Sequence, residues 1–113
     1  YYFKRLSINK NIYLTPPKIG HSKNIYWVVG IVIKNKKILA SKIIKKLNSY
    51  GIGARPFFWP MHEQKIFKKM KIFKNIKYPN SSYLGRYGFY IPSYLNISNT
   101  QMDYVISKIK KLL

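Results

Sequence analysis

The residues best suited to chemistry lie together in one stretch, Arg55-Pro56-Phe57-Phe58-Trp59-Pro60-Met61-His62. A guanidinium at Arg55 could hold an anion through its two-pronged donor fork. The imidazole of His62 could offer a hydrogen bond or titrate near neutrality. Pro56 and Pro60 restrict the backbone on either side of the three aromatics, so the stretch could form a rigid wall of a site. Physics alone favours a packing role, with Phe57, Phe58 and Trp59 as core and edge aromatics held by proline-stiffened backbone.

Other chemistries are excluded by what is missing. Glu63 and Asp103 are the only acidic residues, and with Asp103 expected at the start of a terminal helix neither a two-carboxylate glycosidase nor a carboxylate cage for a hard cation is expected. His21 and His62 stand far apart, with no companion at ligand spacing, and there is no cysteine to serve as thiolate ligand or nucleophile. Asp103 sits near the start of a terminal helix, where it is expected to favour the exposed N–H groups, so no Ser/His/Asp set can be assembled. Gly51-Ile52-Gly53 begins like a dinucleotide fingerprint, but Pro56 stands where its third glycine belongs and the segment follows a helix. No catalytic centre is readable within the chain.

The elements that must position Arg55 and His62 follow from periodicity. Tyr1 to Leu6 read as the tail of a helix whose beginning is missing, so the chain is expected to be part of a longer protein. Ser7 to Asn24, with Pro16, Pro17 and Gly20, read as an irregular connection. Ile25 to Ile33 form a nine-residue run of β-branched and aromatic residues, the pattern of a central strand covered on both faces. Leu39, Ile43, Ile44 and Leu47 recur at helical spacing, and Gly51 ends that helix. Ala54 to Trp59 read as extended, because a residue before proline avoids the helical region. Met61 to Phe73 hold one or two short helices, with Ile66, Phe67, Met70 and Phe73 on a common side. Pro79 to Ser82 form a turn into a short helix through Leu84 and Tyr87, and Phe89 to Pro92 are extended.

The last helix is the plainest. Ser98 and Gln101 form a capping box, Ile97 and Met102 stand at staple spacing, and Met102, Val105, Ile106, Ile109, Leu112 and Leu113 form one apolar stripe. Strand, helix, glycine and strand in this order predict an α/β (α+β-like) fold, a small sheet with flanking helices, over a single domain spanning 1–113.

The formal charge of +20, from 22 basic and 2 acidic side chains, points towards nucleic acid or an anionic surface. Composition supplies a rival cause. Lys, Ile, Asn and Tyr, the residues of A/T-rich codons, make up 56 of the 113 residues, while Arg occurs three times. Selection for phosphate contacts would favour arginine, so a small basic nucleic-acid-binding module and a purely structural domain stand as alternatives. No apolar run reaches the roughly 18 residues of a membrane span. No signal peptide is readable either, and the absence of cysteine fits a cytoplasmic protein.

Taken as a series, Asn24-Ile25-Tyr26-Trp27, Leu47 to Ile52, Arg55 to His62, Tyr90-Ile91-Pro92-Ser93-Tyr94-Leu95 and Gln101 to Ile106 closely resemble the C-terminal part of the DegT/DnrJ/EryC1/StrS aminotransferases. The octapeptide and the Asn24 to Trp27 segment look most like the perosamine synthetase branch. The resemblance implies a fold-type I transaminase that uses pyridoxal 5'-phosphate to move an amino group from glutamate to a nucleotide-linked keto-sugar, in polysaccharide biosynthesis. It also implies a homodimer in which a large cofactor domain precedes a small α/β domain that closes the active site. The Schiff-base lysine, the aspartate that pairs the pyridinium nitrogen and the phosphate-binding residues are then expected upstream of residue 1. No catalytic, cofactor-binding or metal residue is expected in this chain, and the domain alone is expected to be inactive. The resemblance marks Arg55 and His62 as the positions that face the sugar nucleotide, the amino donor or the partner subunit. It implies no membrane and no specific nucleic acid.

Overall fold

In a computed structural model, residues 1–73 and 76–113 of the chain are described. The chain opens with helix α1 (Tyr2–Leu6), strand β1 (Ile12–Leu14) and a two-stranded ribbon of β2 (Lys18–Ile19) and β3 (Ser22–Lys23). Strand β4 (Val29–Ile33), helix α2 (Ala40–Ser49), strand β5 (Arg55–Pro56), a 3-10 turn (Met61–Glu63) and helix α3 (Lys65–Lys69) follow. Helix α4 (Pro79–Tyr87), strand β6 (Gly88–Ile91) and helix α5 (Asn99–Leu112) complete the described structure. Four strands make one antiparallel sheet in the order β1-β4-β6-β5. The expected small sheet with flanking helices is therefore present.

Strand alternation divides the residues between two faces. Ile31 lies opposite Phe89 and Val29 opposite Ile91, and Ile31, Ile33, Phe89 and Ile91 are all buried. They form the core with Leu6 of α1, Leu47 of α2 and Ile109 of α5, each fully buried. On the other face Gly30 opposes Tyr90, and Val32 opposes Gly88. The two glycines leave room there for the ring of Phe57: a Cβ at Gly30 would come 2.9 Å from the Phe57 Cζ, and one at Gly88 would enter the same ring. This slot is what docks the start of the octapeptide on the sheet.

Several expectations need correction. The strand expected over 25–33 begins only at Val29. Asn24 Oδ1 accepts a 2.7 Å bond from the Tyr26 N–H, and Tyr26 takes φ +52°, so a turn replaces the first part of the run. Ile25 and Trp27 are consequently 89% and 74% exposed. The stretch read as irregular, 7–24, holds β1, whose Ile12 pairs with Ile33, as well as the ribbon. Leu39 is the exposed N-cap of α2, and Ala40, Ile43 and Leu47 are its buried residues. Pro79 to Ser82 are the first turn of α4 itself, with proline at the position where its missing N–H costs nothing. In α3 Phe67 is half-buried, but Ile66 and Met70 face solvent.

The capping box of α5 is present in both directions: Gln101 N–H donates to Ser98 Oγ at 3.1 Å, and Ser98 N–H donates to Gln101 Oε1 at 2.9 Å. Asp103 does not serve the helix start. It lies beyond the first turn, which carries no acidic residue, and it accepts from Arg5 Nη1 and the Tyr1 hydroxyl, each at 2.9 Å. It ties α1 to α5 instead.

Candidate functional site

Arg55 lies on β5, the edge strand of the sheet, opposite Tyr90 of β6. An edge is where Pro56, which has no N–H for a further ladder, can be accommodated. The next residue, Phe57, returns a backbone bond of 3.1 Å to the Gly88 carbonyl and puts its ring over the glycine slot. The side chain of Arg55 is exposed. Of the chain's three arginines, Arg5 pairs with Asp103 and Arg86 with Glu63. Both acidic side chains are thereby taken, and Arg55 is left without a carboxylate among the described residues. Nor is its guanidinium paired with an aromatic ring among the described residues.

His62 stands at the other end of the octapeptide, in the 3-10 turn, and belongs to a polar cluster on α4. Its Nε2 lies 3.0 Å from Ser82 Oγ. The Ser82 hydroxyl donates to Glu63 Oε1 at 2.5 Å, and Arg86 forks onto the same carboxylate. These bonds hold the Glu63 carboxyl below the usual carboxylate range, with Arg86 the largest cause and the Ser82 hydroxyl the next. The same pairing raises Arg86. The Glu63 side chain is 12% exposed, so its charge is set in a largely dry place. Tyr78 packs against the imidazole with ring centres 4.9 Å apart, and Phe73 lies edge-on at 6.4 Å.

The backbone makes this cluster rigid. Pro60 is buried against Gly85 of α4, where a Cβ would approach Pro60 Cδ to 2.7 Å. The Arg86 guanidinium lies 5.5 Å from the Trp59 ring centre, within cation–π range. Gln64 Nε2 donates to the Trp59 carbonyl at 3.1 Å. One half of the octapeptide is thus fixed to the sheet and the other half to α4. No hydrogen bond joins Arg55 and His62: they belong to one rigid stretch and not to one cluster of side chains.

Sequence reasoning selected Arg55 and His62 and missed Ser82, Glu63 and Arg86 as a unit. One signal was available: Ser82 and Arg86 stand four apart on a helix, and Glu63 directly follows His62. Pairing the two segments required tertiary structure. His21 lies exposed beside Gly20 at the turn of the β2–β3 ribbon, away from these groups.

The described residues do not fit a pyridoxal phosphate site. Every described lysine is exposed except Lys108, which is half-buried with its ammonium 4.9 Å from the ring centres of both Tyr50 and Tyr104. Lys74 lies outside the described residues. Glu63 and Asp103, the only carboxylates that could pair a pyridinium nitrogen, are held by arginines. A cavity of about 260 Å³ opens between α1, β1, β4 and α5, beside the buried Tyr2. Its lining is mainly apolar and includes neither Arg55 nor His62. Burial pushes the Tyr2 phenol up to about 12. No group of three or more potential metal ligands occurs among the described residues.

Comparison with known proteins identifies the family and the fold. The model of the DegT/DnrJ/EryC1/StrS aminotransferase family matches residues 1–110. GDP-perosamine synthase of Escherichia coli O157:H7 is 29% identical over 89 residues, covering 76% of this chain and 22% of that protein. Among solved structures, the Helicobacter pylori aminotransferase PseC, involved in the biosynthesis of pseudoaminic acid, superposes with a TM-score of 0.82 at 15% identity. That match covers 97% of this chain and 29% of PseC. Spr1654 of Streptococcus pneumoniae in its PLP form gives a TM-score of 0.80 at 16% identity, over 99% of this chain and 29% of Spr1654. The chain therefore spans less than a third of the length of these relatives.

Proposed function

The chain belongs to the DegT/DnrJ/EryC1/StrS aminotransferase family, and from that premise we propose that it is the small C-terminal domain of a pyridoxal phosphate-dependent nucleotide-sugar aminotransferase. The complete polypeptide would transfer an amino group from glutamate to a keto-sugar nucleotide, in polysaccharide biosynthesis, as a cytoplasmic homodimer. The cofactor, when bound, supplies the electron sink for amino transfer. Its holding residues are assigned to the part of the polypeptide that the longer relatives have in addition. What this chain contributes is a rigid ledge, β5 and the octapeptide, fixed to a small sheet and to α4.

The observation that carries the assignment of roles is Arg55. In a chain whose only two carboxylates are matched by Arg5 and Arg86, an exposed arginine on a proline-stiffened edge strand is available for an external anion. The phosphates of a nucleotide sugar and the carboxylate of glutamate both suit its fork. His62, set by α4, would meet a neutral part of the substrate. The family assignment favours this reading over the basic nucleic-acid module, which rests on the net charge alone. Among the described residues no helix is long and apolar enough to cross a membrane.

The test uses the complete polypeptide. Arg55→Lys keeps the charge and loses the two-pronged geometry. It should raise KM for the sugar nucleotide or for glutamate by roughly 10- to 150-fold, the equivalent of about 1.5–3 kcal/mol for hydrogen bonds to a charged group. Unchanged KM for both substrates would remove Arg55 from the site.

A further inference from the structure

The bond lengths around Ser82 constrain where protons lie. Ser82 has one hydroxyl proton, and its oxygen is 2.5 Å from Glu63 Oε1 and 3.0 Å from His62 Nε2. Glu63 accepts two further bonds from Arg86, at 2.8 Å to Oε1 and 2.9 Å to Oε2, and is ionised. An ionised carboxylate can only accept, so the proton in the short contact is the serine's. The Ser82 oxygen then has only lone pairs to offer His62, and Nε2 must carry a proton. This excludes His62 as a base acting on Ser82, although serine, histidine and a carboxylate stand together.

We propose that Ser82 is a positioning residue for His62: it fixes the imidazole proton on Nε2 and leaves Nδ1 as the acceptor that receives a hydroxyl group of the sugar nucleotide. This rests on the reading of His62 as a substrate-facing residue. The surroundings favour a hydroxyl. His62 lines two small clefts, one with Met61, Phe73, Tyr78 and Ser81, the other with Phe67, Lys68, Lys71 and Phe73. The two lysines disfavour an ammonium group, and a lone pair at Nδ1 repels a phosphate or carboxylate oxygen. A hydroxyl donates without charge and satisfies both conditions. The acidic and basic side chains that face the imidazole are Glu63 on its own turn, 3.6 Å away, Arg86 of α4 behind that carboxylate, and Lys68 and Lys71 across the cleft. Tyr78 is the phenol beside the ring.

The first measurement is made on the complete polypeptide with labelled histidine, by long-range proton–nitrogen correlation at a pH where the ring is neutral. The account expects an Nε2–H resonance for His62 that is protected from exchange with water, and loss of that protection in Ser82→Ala. An Nδ1–H form of His62, or an unaltered Nε2–H signal in Ser82→Ala, would overturn the proposal. The second measurement is KM in the complete polypeptide. Ser82→Ala should raise KM for the sugar nucleotide several-fold, and Ser82→Thr, which keeps the hydroxyl, should restore both KM and the protected resonance. If Ser82→Ala removes the protected resonance and leaves KM unmoved, the ligand assignment to Nδ1 fails, while the reading of His62 as substrate-facing falls only if His62→Ala also leaves KM unmoved. Failure of the first measurement counts against Ser82 alone.

Discussion

Arg86 grips Glu63 with both prongs of its guanidinium, Nη1 at 2.8 Å from Oε1 and Nη2 at 2.9 Å from Oε2, across 23 residues of sequence. Half of the chain's acidic side chains are engaged in this one pair, which fastens the turn bearing His62 to α4. Arg86→Ala should lower stability by about 1–2 kcal/mol, the range for hydrogen bonds to a charged group, reduced because the arginine is partly open to water. Chemical denaturation of the two proteins measures it, and equal midpoints would show that the pair contributes nothing.

The same pair gives stability a pH dependence of known sign. The folded value of Glu63 lies below its ordinary 4.5, so its contribution is fully present above that value and is lost as pH falls through the folded value. Glu63→Gln should flatten this part of the stability profile. Denaturation midpoints taken at intervals below pH 5 test it, and parallel profiles for the two proteins would contradict the assignment.

Arg55 should behave in the opposite way. It has no internal partner among the described residues, so Arg55→Ala should leave the unfolding free energy of the 113-residue chain within about 0.5 kcal/mol of wild type. A melting curve showing a clear loss would mean that the side chain supports the fold and is not free for a ligand.

Close approach of backbone makes Gly88 a strict position. A Cβ there would stand 2.5 Å from the Leu84 carbonyl oxygen and would enter the Phe57 ring. Gly88→Ala should destabilise by about 1–3 kcal/mol, as overpacking does, and should displace the octapeptide from the sheet. Phe57→Leu in the same background should recover part of the loss; no recovery would place the strain elsewhere.

What was legible in the sequence was local. The capping box of α5, the apolar face of α2 from Ile43 to Leu47 and the extended bias at Arg55 each depend on residues within a few positions of one another, and each is found in the structure. Strand β1 was not legible, because three residues, Ile12 to Leu14, give no periodicity and only pairing with Ile31 to Ile33 makes them a strand. The start of β4 was misread because an Asn24 turn overrides the β-branched run after it. Asp103 was assigned to its own helix and instead serves α1. At the site, Arg55 and His62 could be selected by residue type. The Glu63, Ser82 and Arg86 partners depend on α4 folding back over the turn, which no spacing records.

Amino transfer by the complete polypeptide that contains residues 1–113 is the most direct test of the proposed function. Supplied with pyridoxal phosphate and nitrogen-labelled glutamate, it should release 2-oxoglutarate stoichiometrically. With a nucleotide-linked keto-sugar present, the label should appear in an amino-sugar nucleotide detected by mass spectrometry. A folded polypeptide that binds no pyridoxal phosphate and releases no 2-oxoglutarate from glutamate would contradict it.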